Sequence, residues 1–205
     1  FSANKHLLNI LNKQMVLYPL DTLKSLGITE ILIVTGGGHI GGFADLLEDG
    51  SDYGVNLTYK AQKDAGGIAQ ALGLASNFAK GEQVAVILGD NIFDNDPIEK
   101  INRIIEVASD RAHIFAKMVS DPERFGVVTY DQTGGFHIEE KPQTPQTNLA
   151  VTGLYVYPPE VFEVIPTLKP SARGELEITD VNNYFITKNK CMLHVIEGFW
   201  SDSGT

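Results

Sequence analysis

Apolar positions along this chain recur with two alternating periods. Residues 15–26 place Met15, Tyr18, Leu20, Leu23 and Leu26 at roughly helical spacing, with Gly27 to end the helix. Pro19 inside that stretch implies a kink or a later start. Residues 31–34 then form a short apolar run, residues 43–47 a second helix ending near Gly50, and residues 57–61 another strand. An Ala- and Leu-rich helix follows over 68–78, an apolar strand over 84–88 and a helix over 98–107. Strands alternating with helices of about 10–15 residues predict βαβ units and a mainly parallel sheet.

The alternation changes in the second half. Residues 114–119, 127–130, 136–140 and 149–157 are strand-like and less regularly separated by helices. Asp131-Gln132-Thr133-Gly134-Gly135 reads as a hairpin connection. Residues 158–164 suit a short helix with Pro in its first turn, residues 177–187 a longer helix, and residues 192–196 a last strand. The expected fold class is α/β. It is a Rossmann-like, mixed and mainly parallel sheet flanked by helices, with antiparallel additions in the second half. No repeat or linker divides the chain, so one domain is expected over residues 1–205.

Composition sharpens this. The chain has 205 residues, 43% hydrophobic and 20% charged, which suits a globular domain with a sizeable core. The formal net charge is -10 and no basic run exists, which argues against non-specific nucleic-acid binding. A small phosphorylated ligand needs only two or three placed cations, so acidity does not exclude one. Cys191 is the only cysteine, so no intrachain disulfide can form, and a reducing, cytoplasmic setting is expected. No apolar stretch has membrane-spanning length and no signal-peptide pattern opens the chain, so no membrane partner is expected.

Several stretches carry candidate chemistry. Gly89-Asp90-Asn91 follows the apolar run 84–88, and ligands of open α/β sheets bind beyond the carboxyl ends of strands. Asp90 there offers a hard oxygen for Mg²⁺ beside a nucleotide phosphate. Gly36-Gly37-Gly38-His39-Ile40-Gly41 matches a dinucleotide fingerprint but lacks the acidic residue about 20 positions on, so it reads better as a Gly-rich strand-to-helix loop. Gln62 has an amide that can read a base edge, and Gly67 lets a base approach the backbone. Lys141 suits a phosphate oxygen, Glu140 a sugar hydroxyl, and Arg173 a bidentate phosphate contact. The five His are scattered without metal-ligand spacing, and both G-x-S-x-G and the Walker A pattern are absent.

Taken in order, these pieces resemble a known family. The motifs are Lys5-His6-Leu7-Leu8, Leu88-Gly89-Asp90-Asn91-Ile92-Phe93, Asp121-Pro122-Glu123-Arg124-Phe125-Gly126-Val127, Glu140-Lys141-Pro142, Ala150-Val151-Thr152-Gly153-Leu154-Tyr155, Arg173-Gly174-Glu175-Leu176-Glu177-Ile178-Thr179-Asp180 and Trp200-Ser201-Asp202-Ser203-Gly204-Thr205. Together they resemble the sugar-phosphate nucleotidylyltransferases over essentially the whole chain, most nearly the branch that joins dTTP to glucose 1-phosphate.

The resemblance implies transfer of a nucleotidyl group from an NTP to a sugar 1-phosphate, with Mg²⁺, giving an NDP-sugar and pyrophosphate. It implies Asp90 and Asp202 as metal ligands and Lys5 on a nucleotide phosphate. It implies Lys141 and Arg173 on the sugar phosphate, and Glu140, Asn91, Gly126 and the backbone of Val151 on the sugar. Gln62 and Gly67 match base-reading positions. It further implies a dimer or tetramer. UTP or another sugar phosphate is the near alternative. A non-catalytic sugar-nucleotide binder and a dinucleotide-binding oxidoreductase are the others.

Several departures stand out. The family's Gly-Gly-x-Gly-Thr-Arg type loop after a first strand is not in this sequence, so about 20 further residues are expected upstream, one strand plus a phosphate loop at ordinary lengths. The family's C-terminal helical tail is also not in it. Asn9 and Gln14 stand where Pro is usual, and Phe125 where Tyr is usual.

Overall fold

The computed structural model describes residues 4–94 and 108–203, so the helix expected over 98–107 lies outside the described residues. In chain order the elements are β1 (Asn9–Ile10), β2 (Lys13–Gln14), α1 (Leu17–Ser25), β3 (Glu30–Gly36), α2 (Ile40–Leu47), β4 (Asn56–Gln62), α3 (Ile68–Gly73), α4 (Ser76–Ala79) and β5 (Val84–Ile87). They continue with β6 (Asn91–Phe93), β7 (Ala112–Met118), β8 (Gly126–Tyr130), β9 (Phe136–Glu140), β10 (Leu149–Tyr157), α5 (Val161–Val164), α6 (Ile178–Thr187), β11 (Cys191–Val195) and β12 (Trp200–Asp202). Pro19 is buried in the first turn of α1, where its missing N–H breaks no helical bond; the helix starts late and does not kink there. The helix expected over 68–78 is divided into α3 and α4.

β10 organises the main sheet. All nine of its residues are buried, as a strand covered on both faces requires. One edge runs antiparallel to β7, with a register shift between Val151 and Tyr155. The other edge is shared. Ala150 opposes Val127 of β8, and Leu154 to Tyr157 oppose β5. β9 pairs antiparallel with β8, and β11 parallel with β7. Hence β5, β7, β8 and β11 run one way and β9 and β10 the other, a mixed sheet flanked by helices. The apolar stripe of α6, with Ile178, Val181 and Phe185, packs on one face with Ile114, Tyr155 and Tyr157. Phe115, Leu154, Val156 and Trp200 fill the other face.

β3 and β4 form a separate parallel pair backed by α1 and α2. Among the described residues β3 pairs only with β4, and β5 only with β10. The facing edges of β3 and β5 flank a slot floored by Ala71, Leu72, Ala75 and Phe78, within a cavity of about 620 Å³. Two short pairs escaped the sequence pattern. One is the hairpin β1–β2. The other joins β6 to β12, in a terminal stretch that reads as a loop from sequence.

Candidate active site

The β6–β12 ladder solves a problem the sequence poses. Asp90 and Asp202 lie 112 positions apart by number, yet Asp202 stands opposite Asn91, and the backbone N–H of Ser203 donates to Asp90 O at 2.8 Å. The two carboxylate-bearing residues therefore flank one strand end. Asn91 holds this arrangement together. It is 2% exposed, its Oδ1 accepts from Gly153 N and from the Trp200 indole, each at 2.8 Å, and its Nδ2 donates to Asp90 Oδ1 at 3.1 Å. The structure thus places Asn91 as a bracket beneath the site. A side chain at Gly153 would put a Cβ 2.7 Å from that amide, so glycine is required there.

Gly89 also has a reason other than turn geometry. Its φ is not positive, and an added Cβ would lie 2.9 Å from the His6 ring. His6 belongs to the 3-10 turn Lys5–Leu7, capped by the Asn4 side chain, which accepts from His6 N at 3.0 Å. The turn delivers Lys5 Nζ to Asp90 Oδ2 at 2.8 Å. Burial raises the Asp90 carboxyl pKa, but hydrogen bonding and attraction from Lys5 outweigh it and hold the group below its ordinary value.

The remaining predicted residues meet around two adjoining cavities. Gln62, Gly67, Asp90, Glu140, Lys141 and Arg173 line the larger one, which runs on into the slot between β3 and β5. Asn91, Gly126, Glu140, Lys141, Val151 and Asp202 line a second cavity of about 200 Å³. Gly126 faces Glu140 across the β8–β9 ladder. The Thr179 hydroxyl of α6 donates to Glu140 Oε2 at 2.5 Å, which aims that carboxylate. Lys141 leaves β9 with φ +45, an uncommon value for a non-glycine residue, and its N–H donates to Phe125 O at 2.9 Å.

Arg173 is closely held by acids. It donates to both Glu177 carboxylate oxygens at 2.9 Å, with Glu140 at 3.7 Å and Glu175 at 3.9 Å. Hydrogen bonding to Glu177 keeps the guanidinium charged more firmly than usual. A phosphate reaching Arg173 must compete with Glu177. Sequence reasoning gave no role to Thr179, Gly153 or the Trp200 indole. Only Gly153 carried a signal, as a glycine inside an apolar strand, which marks a close approach.

The Gly36–Gly41 loop does connect a strand to a helix, through the 3-10 turn Gly37–His39. Among the described residues no group of three or more His, Cys, Asp or Glu gathers as a metal site, and no helix is long and apolar enough to cross a membrane.

Known proteins share this sequence and architecture. The nucleotidyl transferase family matches across residues 1–205. A glucose-1-phosphate thymidylyltransferase of Neisseria meningitidis is 40% identical, covering 99% of this chain and 72% of its own length. One from Mycolicibacterium smegmatis is 42% identical, covering 99% and 71%. A Bacillus anthracis protein described as a glucose-1-phosphate thymidylyltransferase, crystallised with sucrose, superposes with TM-score 0.91 at 43% identity, covering 99% of this chain and 82% of that one. A UDP-glucose pyrophosphorylase bound to UDP-glucose superposes with TM-score 0.83 at 23% identity, covering 98% and 85%, a likeness of fold. With a match that runs from one end to the other, the chain belongs to the nucleotidyl transferase family and is a nucleotidyltransferase.

Proposed function

We propose that this enzyme transfers a thymidylyl group from dTTP to glucose 1-phosphate, giving dTDP-glucose and pyrophosphate. The observation that carries the reading is the β6–β12 ladder, which brings Asp202, on the smaller cavity, next to the strand end that carries Asp90, on the larger one. The names of the relatives at 40% and 42% identity support the choice of substrates. A sugar-phosphate oxygen attacks the α-phosphorus in line, and the bond to pyrophosphate breaks on the far side. The substrate supplies its own nucleophile, so the protein contributes positioning and charge stabilisation. Lys141 and Arg173 hold the sugar phosphate, and Lys5 exchanges its bond to Asp90 for a nucleotide phosphate. Glu140, aimed by Thr179, accepts from sugar hydroxyls between Gly126 and the Val151 backbone. Gln62 reads the base beside Gly67.

Two carboxylates with no softer donor fit Mg²⁺, which uses few protein oxygens and fills its shell with phosphate and water. Asp90 and Asp202 would hold it, and when bound it offsets the negative charge of the triphosphate. The slot between β3 and β5 supports a second part of the proposal, that a strand carrying a phosphate loop lies between them in the whole protein. The relatives extend beyond the matched segment, since this chain spans 72% and 71% of the lengths of the two named above. Hydrogen exchange on the full-length protein tests it. Amides on the facing edges of β3 and β5 should be protected like those of β10, and rapid exchange there counts against an inserted strand. The family resemblance also supports a cytoplasmic dimer or tetramer, which light scattering checks for assembly.

Pyrophosphate release tests the reaction. Glucose 1-phosphate is paired in turn with dTTP, UTP, dCTP, ATP and GTP, with and without Mg²⁺. Release is expected to be fastest with dTTP and lost without the metal. A higher kcat/KM with UTP would move the assignment to a uridylyl transfer, and no release with any pair would sink it.

A further inference from the structure

The hydrogen bonds around Gln62 settle which way its amide points. Its Nε2 donates to Gly67 O at 3.1 Å and to Gln70 Oε1 at 2.8 Å. A backbone carbonyl only accepts, so the atom facing Gly67 is the amide nitrogen. Both amide hydrogens are thereby used, and no hydrogen bond is made to Gln62 Oε1 among the described residues. Gln62 lines the larger cavity, so what it offers a ligand there is an acceptor.

The platform is rigid. Gln70 sits in the first turn of α3 with its amide over Gly66, where an added Cβ would lie 2.2 Å from Gln70 Nε2. Gly67 has φ +91, and a Cβ there would lie 2.5 Å from Leu176 O. Gly66 O accepts from Leu176 N at 2.8 Å, and Ala69 N donates to Leu176 O at 3.2 Å. The loop that carries the acceptors is thus bonded on both sides of Gly67.

Resting on the reading of Gln62 as the base contact, we propose that Gln70 is a positioning residue that fixes the Gln62 amide, so that the site accepts bases with an imide N–H and rejects cytosine. Thymine and uracil carry a hydrogen on N3 that can donate to Gln62 Oε1. Cytosine presents a lone pair at N3, which would face the Oε1 lone pairs. A free glutamine could rotate its amide and serve cytosine equally well. Here that rotation would turn Oε1 towards the Gly67 carbonyl and the Gln70 Oε1, setting acceptors against acceptors. Discrimination then comes from the unmade bond and the repulsion, the kind of mismatch that polar sites reject strongly.

The test uses the full-length enzyme and measures kcat and KM for dTTP and dCTP with glucose 1-phosphate. Gln70→Met keeps the shape and removes the acceptor. Gln70→Glu keeps the acceptor and is the rescue. Gln62→Met is the control for the base contact. Gln70→Met should cut the preference for dTTP over dCTP by about tenfold, mainly through a higher KM for dTTP, the size expected from one lost hydrogen bond. Gln70→Glu should keep most of the preference. If Gln70→Met leaves the preference intact while Gln62→Met abolishes it, Gln62 reads the base without help and the proposal is overturned. If Gln62→Met also leaves it intact, the base-contact reading fails and takes this one with it. Should Gln70→Met lose its melting transition, Gln70→Lys replaces it. A donor at that position favours the rotated amide and must lower the preference, and an unchanged preference again overturns the proposal.

Discussion

The two halves of the site are built differently. The half proposed for the sugar phosphate is walled by β8, β9, β10 and α6, all laddered or packed into the larger core. Its polar groups are cross-bonded, as with Thr179 to Glu140 and Arg173 to Glu177. The half proposed for the nucleotide rests on β3 and β5, each with one described partner, and on a short turn that carries Lys5 to Asp90. One half is a finished wall. The other, on the reading proposed above, accepts a triphosphate, a metal and a further strand. The seam between them is the short β6–β12 ladder with Asn91 beneath it, so damage to the seam should be felt on both sides.

The largest effect is expected at the seam's carboxylates. Asp90→Asn or Asp202→Asn should lower kcat/KM at least about a thousandfold, since each removes a carboxylate proposed to hold the metal ion. Circular dichroism should report an unchanged fold, and retained turnover would remove that residue from the site. Next is the bracket. Asn91→Ala leaves the Gly153 N–H and the Trp200 indole N–H without their buried acceptor, a loss of about 3 kcal/mol in denaturant unfolding. A change below about 1 kcal/mol would show that the two halves do not depend on this seam.

The smallest effect lies at the outer edge of the finished half. His113 Nε2 lies 3.0 Å from Ala108 O, so that nitrogen carries the proton and Nδ1 accepts from His194 Nε2, also at 3.0 Å. Burial, helped by His113, pushes the His194 pKa down to about 4. Its unfolded value is higher, so the unfolded chain binds more protons between the two. Stability is therefore full above about pH 6.5 and is lost as pH falls towards 4. Because His194 is only half-buried, the loss should be about 1 kcal/mol. Melting curves from pH 7.5 to 4.5 should slope less for His194→Gln, and equal slopes would place the acid sensitivity elsewhere.

The sequence made the finished half legible because long buried strands announce themselves. The apolar run 149–157 is the observed β10, residue for residue, and the 136–140 strand is β9. The seam was hidden because three-residue strands have no period to detect, and β6 and β12 are held by side-chain bonds to Asn91 as much as by their ladder. Resemblance supplied Asp202, which periodicity could not. Gly89 was legible as a glycine but for another cause, room for His6. Gln70 gave no sign, since an i-to-i+8 pairing with Gln62 across a loop follows no helix or strand spacing.

The account rests on Asp90 and Asp202 acting as one ion site across the seam. Titration of the full-length enzyme with Mn²⁺ in the presence of dTTP, followed by the electron paramagnetic resonance of free Mn²⁺, tests it directly for the wild type, each Asp→Asn variant and the double variant. One shared site predicts that either single variant weakens Mn²⁺ binding nearly as much as the double does. Additive losses, or a single variant that binds like the wild type, would contradict it.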